Sequence, residues 1–141
     1  MKAIVVEGRF DHVVIEMLFP QIAERGVVLH TAQGFSNVFA VSRAFLDHGY
    51  EVLAVLDTDS HRPGNDNRTI IERLVANNLH GRNINIVWMD PFIEKVIDRA
   101  VPGFWHGNKP NVHKLIQFLD MNKAALLQLN EFQQIRSFID A

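Results

Sequence analysis

The sequence predicts an α/β domain in which helices flank a doubly wound, four-stranded parallel sheet. Its 141 residues suit one compact domain with a substantial core. Four short apolar runs, rich in β-branched residues, are typical of buried strands. They span residues 3–6, 27–30, 52–56 and 84–88.

Segments with helical spacing separate these four runs, because apolar residues recur three and four positions apart. Strands that alternate with helices favour a parallel sheet, since right-handed crossovers bring each helix back against it. Glycines at positions 26, 34, 49 and 81 fall at the predicted junctions. The apolar positions are Val13, Val14, Met17 and Leu18, then Val38, Val41, Phe45 and Leu46, then Ile70, Ile71, Leu74 and Val75.

The pattern becomes helical after residue 88, with predicted helices at about residues 91–100, 110–119 and 130–139. We expect an α/β domain over residues 1–100 and a helical C-terminal extension, residues 101–141, packed on the same domain. Apolar residues near the end could finish the core or form an exposed face for a homodimer. They are Leu126, Leu127, Leu129, Phe132, Ile135 and Phe138.

Composition narrows the function classes. The chain has no cysteine, which excludes disulfides, thiolate nucleophiles and cysteine-based zinc sites. No apolar run approaches the roughly 20 residues that a membrane span needs, so the expected location is cytoplasmic, with no membrane partner. Fourteen basic and sixteen acidic residues give a net charge of −2, without the basic bias common in proteins that hold DNA by charge alone.

Acidic residues follow two of the predicted strands. Glu7 comes directly after the first strand and Asp11 four residues later, while Asp57 and Asp59 follow the third. In extended backbone, residues two apart share a side. If the strand order is 2-1-3-4, all four carboxylates meet where open α/β sheets bind ligands. Such a cluster either has raised pKa values or recruits a cation, and oxygen ligands suit Mg2+ or Mn2+.

A structural interpretation competes with the metal site. Asp11 could cap the first helix, and Asp57 and Asp59 could be ordinary turn formers at a strand end. Each explanation is reasonable for one residue. Four acids at the two strand ends that should be neighbours favour the metal site.

Two segments carry a resemblance to a known family. IVVEGRFD at residues 4–11 and LDTDS at residues 56–60 resemble the Toprim family of topoisomerases, primases, small ribonucleases and OLD-like nucleases. The resemblance covers about residues 1–95 and implies a Rossmann-like fold. It implies that Glu7 is a general acid/base or metal ligand and that Asp57 and Asp59 hold Mg2+. Asp11 matches the aspartate of the EGxxD form seen in primase-like and OLD-like members.

Other positions fit the family less specifically. TAQG at residues 31–34 resembles the family's glycine turn, and Glu94 resembles the extra acid with which OLD-like members hold a second metal. Glu94 could instead complement a helix dipole. Topoisomerases usually have a third aspartate, and primases an Ala-Gly, where this chain has Ser60 and His61. Tyr50, the one tyrosine, precedes the third strand and is badly placed for strand attack.

A metal site that cleaves phosphodiesters also needs donors for the scissile phosphate. Arg9 is the candidate catalytic donor, and it lies in the first acidic loop. The candidate substrate-binding residues are His61, Arg62, Arg68 and Lys109. Exposed arginines near acids are also ordinary ion pairs. Phe104 and Trp105 could stack a base or anchor a loop.

The sequence therefore predicts Mg2+-dependent phosphodiester chemistry on DNA or RNA, with a nuclease as the first hypothesis. The alternative is a non-catalytic nucleic-acid-binding or accessory module that acts with a partner protein. A third hypothesis treats Asp57-Thr58-Asp59 as the motif of haloacid dehalogenase phosphatases, with Asp57 as nucleophile. That motif normally opens its domain, and it leaves Glu7 and Asp11 unexplained.

Overall fold

The computed structural model of the protein describes residues 1–80 and 82–141. The predicted glycine junction at Gly81 lies outside these residues. Among these residues, four strands form one parallel sheet, as predicted, and their order is β2-β1-β3-β4, the arrangement under which the acids were expected to meet. The strands are β1 (Lys2–Val6), β2 (Val27–Thr31), β3 (Glu51–Asp57) and β4 (Asn85–Met89).

Six helices flank this sheet on both faces, so the doubly wound α/β prediction is confirmed. Helices α2 and α3 cover one face of the sheet and pack in the smaller of two apolar clusters. The other four helices cover the opposite face and pack in the larger cluster. The helices are α1 (Arg9–Leu18), α2 (Phe35–Asp47), α3 (Ile71–Leu79), α4 (Ile93–Ala100), α5 (Val112–Leu126) and α6 (Asn130–Asp140).

Strand β3 shows how the two clusters form. Leu53 and Val55 point into the larger cluster, while Val52, Ala54 and Leu56 point to the face covered by α2 and α3. A strand buried on both faces needs a continuous apolar run, which is the pattern that predicted it. Each such Val or Leu side chain contributes about 1.5–3 kcal/mol through burial.

The C-terminal helices complete the larger cluster. Leu126, Phe132 and Ile135 are all 0% exposed and pack in the same cluster as the strand residues. Of the two alternatives for these apolar residues, finishing the core is therefore the one that the structure shows. The physical reason is that α5 packs along α1 and α6 returns to β4. None of the described helices is both long and apolar enough to cross a membrane.

The strand order places a crevice between β1 and β3. The chain leaves β1 toward β2 on one side and leaves β3 toward β4 on the other, so strand order reverses between them. Loops that follow these two strands therefore diverge above the sheet and leave an opening at its carboxyl edge. Glu7 and Asp57 lie at this edge, at the ends of β1 and β3.

Candidate metal centre

The ends of β1 and β3 are joined through an acidic side chain. Glu7 Oε2 accepts a hydrogen bond of 2.7 Å from the backbone N–H of Asp57. The Asp57 carboxylate continues the chain of contacts, because its Oδ1 accepts a hydrogen bond of 3.1 Å from the N–H of Ile93, the first residue of α4. Three elements thus converge on two carboxylates.

Asp11 caps its helix and also belongs to the cluster. It is the third residue of α1, and its Oδ2 accepts a hydrogen bond of 3.1 Å from the N–H of Gly8. The helix-capping interpretation is thus correct in part, although Gly8 occupies the N-cap position itself. Asp11 is only 8% exposed, and its charge raises the pKa of Glu7 and Asp57. The two roles coexist because one carboxylate has two oxygens.

Asp59 departs from the extended backbone that the sequence suggested. Its φ of +53° is left-handed, a conformation that aspartate adopts more readily than most residues. The turn is held from both sides, since the Asp59 N–H donates to Pro91 O at 2.9 Å and buried Thr58 donates its hydroxyl to Asp90 Oδ1 at 2.7 Å. Asp57 and Asp59 nevertheless line one cleft.

An amide in the following loop steadies both aspartates. Asn67 Nδ2 donates to the Asp57 carbonyl oxygen at 2.9 Å and to Asp59 Oδ2 at 3.3 Å. Asn67 is buried, and a 3-10 helix spanning Asn67–Ile70 begins there. The polar segment at residues 61–68 is mostly exposed but turns inward at Asn67. The Asn67 side chain is buried because it donates hydrogen bonds to the two aspartates.

Glu94 is the fifth acid of the cluster. It is the second residue of α4, is 6% exposed, and lines the same cleft of about 270 Å3 as Asp57 and Asp59. We call Glu7, Asp11, Asp57, Asp59 and Glu94 the acidic cluster. It draws its members from the carboxyl ends of β1, β3 and β4.

Burial and mutual repulsion make this cluster hard to ionise. Burial is the main cause, and it raises the pKa of Glu7 to about 7, of Asp11 to about 6 and of Asp57 to about 9. The pKa of Glu94 is also raised by burial. Negative charges on neighbouring acids add to each of these shifts. At neutral pH the cluster therefore retains protons that exposed carboxylates would have lost.

Three of the predicted donors lie beside the cluster. Lys109, Arg62 and His61 line the cleft with Asp57 and Asp59. The positive charge of Lys109 lowers the pKa of Asp11 and Glu94, and its ammonium lies 5.5 Å from the centre of the Phe10 ring. Loop residues before α5 bring Lys109 there, which sequence spacing could not reveal.

The other two predicted donors point elsewhere. Arg68 forms a two-pronged ion pair with Asp66, with its closest approach at 2.7 Å. Arg9 is exposed and lines a different hollow, together with His12 and Glu16. An arginine that is already paired has less freedom to bind a phosphate. The structure thus brings the three cleft donors together but not these two.

No family model, curated protein or solved structure matches the chain. The resemblance to the Toprim family therefore depends on the segments at residues 4–11 and 56–60, and it stays a prediction. What the site can do must be argued from its own geometry and charges.

Magnesium suits the donor set. The cluster offers carboxylate oxygens, which Mg2+ prefers, and a bound cation would offset the repulsion that now retains protons. Among residues 1–80 and 82–141, no three Asp, Glu or His side chains form a ready-made ligand group for one ion. This is compatible with Mg2+, which commonly takes one or two protein carboxylates and keeps several waters.

Sequence reasoning missed two polar residues that build the site. Asn67 and Asp90 form the hydrogen bonds that shape the turn after β3. Asp90 follows β4 directly, so its place at a strand end was a usable signal. Asn67 carried none, because it lies in a polar loop whose path depends on the tertiary structure.

Proposed function

We propose that this chain is a Mg2+-dependent nuclease of the Toprim type, which hydrolyses phosphodiester bonds in DNA or RNA. One observation carries the proposal: five carboxylates meet at the carboxyl edge of a parallel sheet, and burial there raises the pKa values of four of them, Glu7, Asp11, Asp57 and Glu94. A site built only to be stable would not gather acids that repel one another. Mn2+ would serve in place of Mg2+.

Each acid has a place in this proposal. Glu7, Asp57 and Asp59 would hold one ion, one or two of them directly and the rest through its waters, with Asp11 and Glu94 placed to hold a second in the same manner. When bound, Mg2+ supplies Lewis-acid activation of water and neutralises charge on the phosphate. A pKa of about 7 also suits Glu7 to hold or release a proton at neutral pH.

The cationic side of the cleft would hold the substrate. Lys109 and Arg62 reach the same cleft as Asp57 and Asp59, so a phosphate oxygen there can be bound while its phosphorus faces the acids. His61, at the same wall, adds a ring nitrogen as donor or acceptor. These residues orient the phosphate and offset its charge.

A non-catalytic accessory role is the second candidate, favoured by the distribution of cations. Arg68 is paired with Asp66, Arg9 lies in a separate hollow, and the chain has a net charge of −2. Of the five predicted donors, three line the cleft, which is a small positive charge with which to hold a long duplex. A partner protein would then supply the binding surface.

Cleavage of plasmid DNA and of single-stranded DNA and RNA oligonucleotides, with Mg2+, Mn2+ or EDTA, tests the proposal. We expect Glu7→Gln and Asp57→Asn each to lower the rate at least about 100-fold, as loss of a group that stabilises the transition state does. Asp47→Asn is the matched control, since Asp47 pairs with Arg82 outside the cluster. Cutting that survives both cluster substitutions would sink the proposal, whereas metal binding without cutting would favour the accessory role.

A further inference from the structure

Three aromatic rings line the cleft that holds the acids. The Phe92 ring lies edge-on to His61, with centroids 4.9 Å apart, and edge-on to Trp105 on its other side, at 5.3 Å. We call His61, Phe92 and Trp105 the aromatic wall. All three line the same cleft as Asp57 and Glu94. None is buried: His61 is exposed, and the other two are half-buried.

Backbone hydrogen bonds in and next to the wall hold its rings beside the acidic cluster. Phe92 immediately precedes Ile93, whose N–H donates to Asp57 Oδ1 at 3.1 Å. The Trp105 N–H donates to Asp98 Oδ1 at 2.9 Å, and Gly103 donates to the same oxygen at 3.1 Å. The rings are therefore held at a set position beside the carboxylates rather than on a free loop.

Phe104, the aromatic residue next to Trp105 in this loop, packs in the core. Phe104 lies against Phe118, with centroids 4.4 Å apart, and it packs on the larger core cluster. Trp105, the next residue, instead points into the cleft with the acids. Packing alone explains Phe104 but does not explain why Trp105 and Phe92 line a charged opening.

We propose that the aromatic wall stacks an unpaired nucleobase, so that the substrate of the site is single-stranded nucleic acid. The inference rests on the proposed function and names its substrate class. Bases in a duplex are already stacked on each other, whereas a single strand offers their faces to a protein. Aromatic stacking tolerates any base, because every base has such a face.

Charge supports a single strand over a duplex. Among the described residues, Arg62 and Lys109 are the two Arg or Lys side chains that line the cleft. Two phosphate contacts in the cleft give little charge-based affinity for a duplex, compared with a protein that makes about six to ten of them. Stacking would provide the remaining affinity, and it depends little on salt.

Anisotropy of labelled oligonucleotides tests this, with Ca2+ replacing Mg2+ to prevent cutting. We expect single-stranded DNA and RNA to bind at least about 10-fold more tightly than the matching duplex, with a slope of log affinity on log salt near −1.4. Trp105→Leu and Phe92→Leu should each weaken single-strand binding about 10-fold. Phe104→Leu is the matched control, and it should leave this affinity unchanged.

Tryptophan fluorescence tests the inference without substituting any residue of the aromatic wall. The chain has two tryptophans, and Trp88 stacks on Phe35 in the other core cluster. In a Trp88→Phe variant the emission comes from Trp105. We expect a single strand to quench it and a duplex of equal length to leave it unchanged. This arm remains decisive even if Trp105→Leu or Phe92→Leu fails to fold.

The outcomes separate the inference from the proposed function. Equal binding of duplex and single strand, or no quenching of Trp105, would overturn the inference. The proposed function would still stand if Mg2+-dependent cutting disappears in Asp57→Asn. In the opposite case, wall-dependent binding of either single strand without any cutting would support the inference and leave the accessory role.

Discussion

Replacing Asp57 by asparagine should stabilise the metal-free protein at neutral pH. Asparagine is nearly the same size as aspartate, and its carbonyl oxygen can still accept the Ile93 N–H bond. What disappears is the ionisable group, whose pKa is raised from 3.8 to about 9. At neutral pH the unfolded chain has ionised Asp57 while the folded chain still holds its proton, which favours unfolding.

The size of the effect follows from the pKa shift. Each pH unit between 3.8 and an assay pH near 7.5 is worth about 1.4 kcal/mol, so an isolated sealed group would give about 5 kcal/mol. Asp57 is half-buried, and water at the mouth of the cleft reduces the penalty. We therefore expect a gain of about 2 to 3 kcal/mol in the free energy of unfolding.

Urea denaturation in EDTA, across pH 4 to 9, measures this gain. The sign is fixed: near pH 4 the unfolded chain has ionised Asp57 only about half, so the variant and the wild type differ little, and the gain grows as pH rises toward 9. Mg2+ at about 1,000 times its Kd should reverse the ranking, because it adds about 4.1 kcal/mol to the wild type, more than the expected gain of the variant. The variant should gain much less.

Asp90→Asn is the control of opposite sign. Hydrogen bonds from Thr58 and Ser60 hold the pKa of Asp90 below its ordinary value, so its charge stabilises the fold above that value. This substitution should destabilise the protein at neutral pH and matter less as the pH falls. If Asp57→Asn is instead less stable than wild type in EDTA at neutral pH, the electrostatic argument for the acidic cluster is wrong.

Three further predictions test the same description. Mg2+ binding near pH 7 should release protons, because the acids retain them without metal. Calorimetry in buffers of different ionisation enthalpy measures the number of protons released per ion bound. A value of zero would contradict the prediction. Asn67→Ala should lower the free energy of unfolding by about 1–3 kcal/mol and weaken Mg2+ binding, because it removes the hydrogen bonds to Asp57 and Asp59. Asn122→Ala is the control: it loses a hydrogen bond within α5 and should leave Mg2+ binding unchanged. Phe132→Ala should lower the free energy of unfolding by about 3–5 kcal/mol in one transition; a separate early transition would show that the C-terminal helices fold apart.

The strands were accessible from sequence because local patterns encode them, whereas their order was taken as the common 2-1-3-4 arrangement and is shown by the structure. A strand buried on both faces needs an apolar run, and each run was predicted to within one residue at either end. Helix ends were harder to predict, and α5 continues to Leu126, seven residues beyond its predicted end. A helical pattern in the sequence does not mark the residue at which the helix ends, because packing decides where the chain turns.

The residues of the site also divide into those that the sequence could place and those that it could not. Glu7 and Asp57 could be paired from sequence, because parallel strands end at one edge and the order 2-1-3-4 makes β1 and β3 neighbours. Their chemical role stays a prediction. The left-handed turn at Asp59 was missed, since an extended backbone was assumed where Asn67 and Pro91 hold a tight turn.

The sequence by itself determined the α/β class and the strand ends at which the acids lie. Those features follow from periodicity, which acts over short stretches of chain. The structure decided the strand order, which makes β1 and β3 neighbours and brings these strand ends together. Only the tertiary structure decided that Lys109 and Trp105 reach the acids while Arg9 and Arg68 do not. These contacts join residues distant along the chain, and their distances depend on how loops and helices pack, which no local pattern records.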